Sequence, residues 1–225
     1  MEKRDLMLIG LFPALSLFAQ EKPNVLLIMA DDMGYECLGV NGSTYHTPIL
    51  DNMADSAMLF KNCHSQPLST PSRVQLMTGK YNFRNYSHFA YLNPKERTFA
   101  HMAKEAGYAT CIAGKWQLGY DERLPKLFGF DSYCLWQLSK QRSDGERYAN
   151  VLYEQDGDLM PRSIDIYGPD IFSDYIASFI RKNKGKPFFA YYPMVLTHDP
   201  FYPTPDSEEW SDVSLREKHD NKLMS

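Results

Sequence analysis

Apolar residues gather in three runs along the chain, each too short to favour a helix and each bounded by turn-forming or charged residues. The first, Asn24-Val25-Leu26-Leu27-Ile28-Met29-Ala30, lies between Pro23 and Asp31. The second, Tyr108-Ala109-Thr110-Cys111-Ile112-Ala113, enters from Gly107 and closes at Gly114. The third runs from Pro187 to Leu196, with Pro193 marking a bulge or kink. Unbroken apolar runs of this kind predict buried strands. Helical periodicity separates them. Thr47 to Ala57 puts Ile49, Met53 and Ala54 on one side, with Thr47 as a cap and Pro48 in the first turn. Thr98 caps a second helix, where Phe99, Met102, Ala103 and Ala106 recur until Gly107 stops it. Pro169 to Ile180 carries a wide stripe of Ile171, Phe172, Tyr175, Ile176 and Phe179. Strands alternating with helices predict an α/β layered fold with a largely parallel sheet. No repeat or linker divides it. From about Arg123 to Ser163, Gly, Asp, Arg and Tyr mix without a period and read as surface excursions.

The N-terminus adds an export expectation. Leu6 to Ala19 is a fourteen-residue apolar run interrupted by Gly10 and Pro13. That suits a signal-peptide core and falls short of the ~18 residues of a spanning helix. Ala19 is a small residue suited to cleavage, so residues 1–19 read as a signal peptide. Lys3 and Arg4 are offset by Glu2 and Asp5, and a buried N-terminal helix is the competing assignment. The expectation is an exported chain, periplasmic or extracellular, with no membrane span after cleavage.

Composition narrows the classes. With 225 residues, 44% hydrophobic and 23% charged, the chain has a globular make-up and enough length for a sizeable core. A net charge of −4 and the lack of any like-charge block argue against a nucleic-acid partner. Aromatic content of 14% suits a packed core and a carbohydrate-facing cleft. Cys37, Cys63, Cys111 and Cys134 are compatible with an oxidising compartment but show no paired or zinc spacing. Three disulfide pairings remain open, and Cys111, in an apolar run, suits a small buried hydrophobe.

Each predicted strand hands directly to polar residues: Asp31-Asp32, then Lys115-Trp116 after Gly114, then Thr197-His198. In open α/β sheets, ligands bind beyond the carboxyl ends of the strands. If the three strands are parallel, two carboxylates, an ammonium and an imidazole meet at one edge. Asp31 and Asp32 offer oxygen ligands for a hard divalent cation, although an isolated Asp-Asp pair is far more often a solvated turn. Lys115 alone is an ordinary surface lysine, and His198 alone an ordinary turn histidine. The segment Leu68 to Lys80 sharpens the picture. Thr70 reads as an N-cap, Pro71 as the first helical residue and Gly79 as the stop. Ser69 then sits at a helix N-terminus, where free N–H groups and the helix dipole favour an anion, and Arg73 points back from one turn on.

Ser69-Thr70-Pro71-Ser72-Arg73, with Gly79 six residues beyond Arg73, resembles the Cys/Ser-x-Pro-Ser-Arg motif of the type I sulfatases of the alkaline-phosphatase-like superfamily. Asp31-Asp32 looks like that family's metal pair. Gly114-Lys115-Trp116-Gln117-Leu118-Gly119 is similar to its Gly-Lys-Trp-His-Leu-Gly box, and Thr197-His198-Asp199-Pro200 to its His-x-Pro site. The resemblance runs from about Pro23 to Pro205 and keeps the family's motif order. It implies an alkaline-phosphatase-like α/β sandwich, a central largely parallel sheet flanked by helices, acting as a sulfuric ester hydrolase.

By that resemblance Ser69 is the precursor of formylglycine, made by a maturase. Asp31, Asp32 and residue 69 hold calcium in preference to magnesium, and Arg73 steadies the formylglycine. Lys115, Gln117 and His198 bind the sulfate of a sulfated carbohydrate or small sulfate ester, with His198 as acid for the leaving alcohol. Trp116 is expected to pack rather than stack on substrate. Gln117 departs from the family's usual histidine, and glutamine cannot accept a proton at neutral pH. The implied further metal pair, Asp then Asn or His after another strand, is not matched. Asp220-Asn221 follows the polar run Arg216-Glu217-Lys218-His219 instead. Residues 23–225 therefore read as an incomplete N-terminal sulfatase domain, truncated at its C-terminus, with a sheet edge and apolar faces left uncovered. The alternatives are a phosphatase or phosphodiesterase of the same superfamily using unmodified Ser69, and an inactive remnant.

Overall fold

The structure, a computed structural model, describes residues 22–140 and 147–218. The expected signal peptide and Asp220-Asn221 lie outside the described residues. Strands β1 (Val25–Met29), β2 (Ala109–Lys115), β3 (Ser132–Trp136), β4 (Tyr153–Gln155), β5 (Asp158–Leu159) and β6 (Phe188–Pro193) form one sheet of order β1-β6-β2-β3-β4-β5. The first four in that order run parallel; β4 is antiparallel to β3, and β5 antiparallel to β4. All three strands expected from the apolar runs are present. Pro193 ends β6 opposite Met29, where its missing N–H costs the ladder nothing.

Alternation along the strands splits the core in two. Ile112, Tyr133, Leu135 and Tyr191 face one side with Val74, Met77, Trp116, Phe128 and Phe130. Cys111, Ala113, Cys134, Trp136, Phe188, Ala190 and Tyr192 face the other with Tyr148, Phe172 and Ile176. Helices α2 (Ser69–Thr78), α4 (Phe99–Glu105) and α5 (Leu124–Leu127) contribute to the first layer, and α6 (Gly168–Asn183) packs on β2 and β6 in the second. Both faces of β2 and β3 are thus covered, as a parallel sheet requires. The remaining helices, α1 (Pro48–Ser56) and α3 (Asn82–Asn85), bury no residue.

Helix ends follow local chemistry. Thr98 caps α4 in a reciprocal box with His101, and its Oγ1 also donates to the buried Phe128 carbonyl at 2.6 Å. Gly79 ends α2 in the left-handed region at φ 64°, its N–H donating to Gln75 O.

Three expectations are corrected. Helix α2 begins at Ser69 with Leu68 in the cap position, so Thr70 and Pro71 lie inside its first turn. The first turn is formed two residues earlier than the cap chemistry of Thr70 suggested, because extended Leu68 already accepts from Ser72 N. Helix α1 exists, but Ile49 and Met53 are exposed because no other layer covers that face among the described residues. The stretch from Arg123 to Ser163 is not surface: Tyr-Cys-Leu-Trp at 133–136 forms the buried β3, and Arg147 to Ala149 is buried beside it. All four cysteines are free, and Cys111 and Cys134 are buried in the apolar core.

Strand β1 is a sheet edge. Leu26 and Ile28 on it are 45% and 53% exposed, so one apolar face of the edge strand meets solvent among the described residues.

Candidate active site

The carboxyl ends of β1, β2, β3 and β6 supply the site. Beyond β1, the Asp31 N–H donates to Leu196 O and Thr197 N–H returns to Asp31 O, both at 2.7 Å. This ladder fixes the Asp31 backbone and aims its carboxylate inward. At Asp32 the chain takes φ 58°, and the side chain turns outward, 57% exposed. Lys115 closes β2, in register with Trp136 of β3. Gly114 before it has φ 115°, and a Cβ there would fall 2.1 Å from Pro193 O. Only glycine lets β2 come that close to the end of β6 while turning Lys115 toward the site.

Lys115 joins the pieces. Its Nζ donates to Asp31 Oδ2 at 2.6 Å and to Ser69 Oγ at 3.1 Å. The lysine and aspartate side chains are each 3% exposed, so the surface reading of Lys115 is overturned. Asp31 and Ser69, far apart in sequence, meet on one ammonium. Ser69 is the first residue of α2, where backbone N–H groups without helical partners and the helix dipole add positive potential. Burial lowers Lys115 to about 8, although the adjacent Asp31 carboxylate opposes this. Burial likewise lowers Arg73, against the pull of Tyr191 and Asp31. Tyr191, fully buried beneath them, is raised by burial and stays a neutral phenol.

Arg73 reaches across to β2. It donates to the Trp116 carbonyl and, at 3.4 Å, to Thr70 Oγ1, while its Nε is buried without a partner. Gln117, at φ 44°, donates through Nε2 to Gln137 Oε1 at 2.6 Å, and its own Oε1 is buried without a partner. Trp116 packs, as expected: it is fully buried and its indole N–H donates to Gly119 O. His198 stands apart from the lysine cluster. Its Nε2 lies 3.4 Å from Asp32 Oδ2, and its carbonyl accepts from Tyr148 OH.

Two partners escaped the sequence. Gln137 follows β3 at φ 56° and holds Gln117. Arg147 donates through NH1 to Asp31 Oδ2 at 3.3 Å, is 3% exposed, and stacks 4.6 Å from the Trp136 ring centroid. The apolar run 133–136 was the available signal for β3. Nothing in the residues around Arg147 marks it, because the chain returns to the site there without a regular element.

Asp31 and Asp32 suit a hard cation in kind but not in number. Among the described residues no group of three or more His, Cys, Asp or Glu is placed to hold a metal ion. Asp31 Oδ2 already meets two cationic groups. Calcium takes about 6–8 oxygens, so most of its ligands would have to come from beyond these two carboxylates and residue 69.

Comparison with known proteins bears on the family and the fold. The sulfatase family model matches residues 23–223. The arylsulfatase of Klebsiella aerogenes is 30% identical over 214 residues, covering 85% of this chain and 46% of that protein. Human N-acetylgalactosamine-6-sulfatase is 31% identical, covering 82% and 41%. The solved structure of BT4656 in complex with its substrate D-glucosamine-2-N,6-O-disulfate superposes with a TM-score of 0.70 at 27% identity, covering 82% of this chain and 36% of that one. The chain thus spans less than half the length of each.

Proposed function

The chain belongs to the sulfatase family, and from that premise we propose that it works as a sulfuric ester hydrolase on sulfated carbohydrates or small sulfate esters. The observation that supports this most directly is Lys115 Nζ placed between Asp31 Oδ2 and Ser69 Oγ. A nucleophile precursor, a buried cation and a carboxylate share one point at the mouth of a parallel sheet.

Formylglycine, formed from Ser69 by loss of two hydrogens, supplies as its hydrate one hydroxyl to attack sulfur and a second whose deprotonation expels sulfate and restores the aldehyde. Lys115 holds the residue 69 oxygen and offsets charge on the sulfate. Arg73, buried under the first turn of α2, keeps that turn against the end of β2. His198, 31% exposed beside Asp32, is the proposed acid for the leaving alcohol. Gln117 can serve the sulfate only as a neutral donor through Nε2, the group that here meets Gln137 Oε1, because its Oε1 accepts and cannot pair with a sulfate oxygen. Calcium is the proposed cofactor: Asp31, Asp32 and residue 69 would be this chain's contribution to holding it, and it would supply Lewis-acid chemistry there. Export and a formylglycine-generating maturase belong to the same proposal. Among the described residues, no helix is long and apolar enough to cross a membrane.

The test is coexpression with an anaerobic-type maturase, followed by mass spectrometry of the tryptic peptide 62–73, which contains Ser69. Loss of two hydrogens at residue 69, with sulfate release from sulfated sugars that Ser69→Ala abolishes, is the expected result. Unmodified serine together with no release from any sulfate ester overturns the proposal.

A further inference from the structure

The buried charges around Asp31 do not balance. Lys115 and Arg147 both meet the buried Asp31 carboxylate, and Arg73, which donates to Trp116 O and Thr70 Oγ1 instead, adds a third cation; each of the three is at most 3% exposed. Lys115 alone, at 2.6 Å, is enough to neutralise Asp31, so Arg147 at 3.3 Å is surplus for that purpose. A buried guanidinium is costly, and a packed apolar residue of the same size would be cheaper if only the fold were at stake. Its Nε–H makes the case sharper. That donor is buried and has no hydrogen-bond partner, while NH1 is engaged and the face of the group is held against Trp136. Trp136 is itself fully buried, and its strand position lies directly opposite Lys115. The guanidinium is therefore locked in plane beside the lysine that touches Ser69. A fixed, desolvated guanidinium with an unmet donor suits a tetrahedral oxyanion, which offers several acceptor oxygens to one fork.

We propose that Arg147 is a substrate-binding residue that donates from Nε to the sulfate group of the ester held between Ser69 and Lys115. This rests on the sulfatase reading and adds to it a residue carried by the irregular segment after β3. It also gives the site a cation close to the strand ends where Gln117, an uncharged residue, stands.

The test uses the full chain, 15N-labelled, titrated with inorganic sulfate in the presence of a chelator. The Nε–H resonance of Arg147, assigned by its loss in Arg147→Lys, should shift and saturate with sulfate. Calorimetry should show affinity for sulfate falling tenfold or more in Arg147→Met, since a hydrogen bond to a charged group is lost, and by less in Arg147→Lys, which keeps the charge. A resonance that stays still while sulfate binds overturns the proposal, as does unchanged affinity in a folded Arg147→Met. If that variant fails to fold, the wild-type titration decides alone. Ester hydrolysis by the matured chain with an Arg147 resonance blind to sulfate refutes this inference and leaves the sulfatase reading intact. Sulfate binding through Arg147 without hydrolysis of any sulfate ester does the reverse.

Discussion

Replacing Asp31 with Asn tests whether the fold depends on its one buried counter-charge at the site. The carboxylate meets Lys115 at 2.6 Å and Arg147 at 3.3 Å, all three side chains being 3% exposed. Asparagine keeps the shape and an acceptor oxygen but removes the negative charge, leaving the buried cations facing one another. Breaking a buried pair from one side costs about 3–5 kcal/mol, a large part of the ~5–15 kcal/mol that holds a domain together. For a chain of this length that is roughly 6–20 °C in melting midpoint. Urea and thermal unfolding in chelator, followed by circular dichroism, measure it without any cation contributing. Added sulfate supplies the missing negative charge and should raise the midpoint of Asp31→Asn more than that of the wild type. An Asp31→Asn chain that melts within about 2 °C of wild type, with no differential response to sulfate, refutes the charge-balance reasoning.

Four further outcomes follow from the same structure. Because burial brings Lys115 down to about 8, its positive charge is lost as pH rises through that value. Sulfate affinity measured by calorimetry should therefore fall above pH 8, and a rise would contradict the assignment. Folding stability should move the other way: the unfolded lysine keeps its proton to about 10.4, so between the two values the unfolded chain binds more protons and stability climbs with pH. Gly114→Ala forces a Cβ to within 2.1 Å of Pro193 O at φ 115°; a loss of about 3 kcal/mol is expected by urea unfolding, and a neutral variant would show that the β2–β6 approach is slack. Thr98→Ala removes the α4 cap and the buried bond to Phe128 O, for about 2 kcal/mol, with Thr98→Ser recovering most of it.

Strands β2 and β6 show as apolar runs because both faces of a buried parallel strand need apolar side chains, and β1 shows an equal run although Leu26 and Ile28 leave one of its faces exposed. Helices α4 and α6 show through their caps and stripes. Strand β3 was legible in principle at Tyr133 to Trp136, but Gly, Asp and Arg on either side drowned a run of four. Helix α1 was legible as a helix and misleading as a packed one, since periodicity reports which face is apolar and not whether another layer covers it. At the site, Asp31, Ser69 and Lys115 were recoverable because each sits at a fixed offset from a strand or helix end. Arg147 was not, because it reaches the site from outside any regular element, at no fixed offset from a strand or helix end.

Composition and site carry opposite signs, and the contrast is physical rather than accidental. A net charge of −4 argues against a polyanionic partner that reads a broad basic face. It says nothing about a desolvated pocket in which Arg73, Lys115, Arg147 and the α2 N-terminus outweigh Asp31. Exposed to water at physiological salt those charges would be screened beyond about 8 Å; buried at the ends of parallel strands they are screened much less. An acidic exterior around a positive point rejects extended polyanions on the surface while still drawing one anionic group to the mouth of the sheet. On the proposed sulfatase function, preference for a single sulfate over a whole phosphate backbone would come from where the cations are buried, not from how many the chain contains.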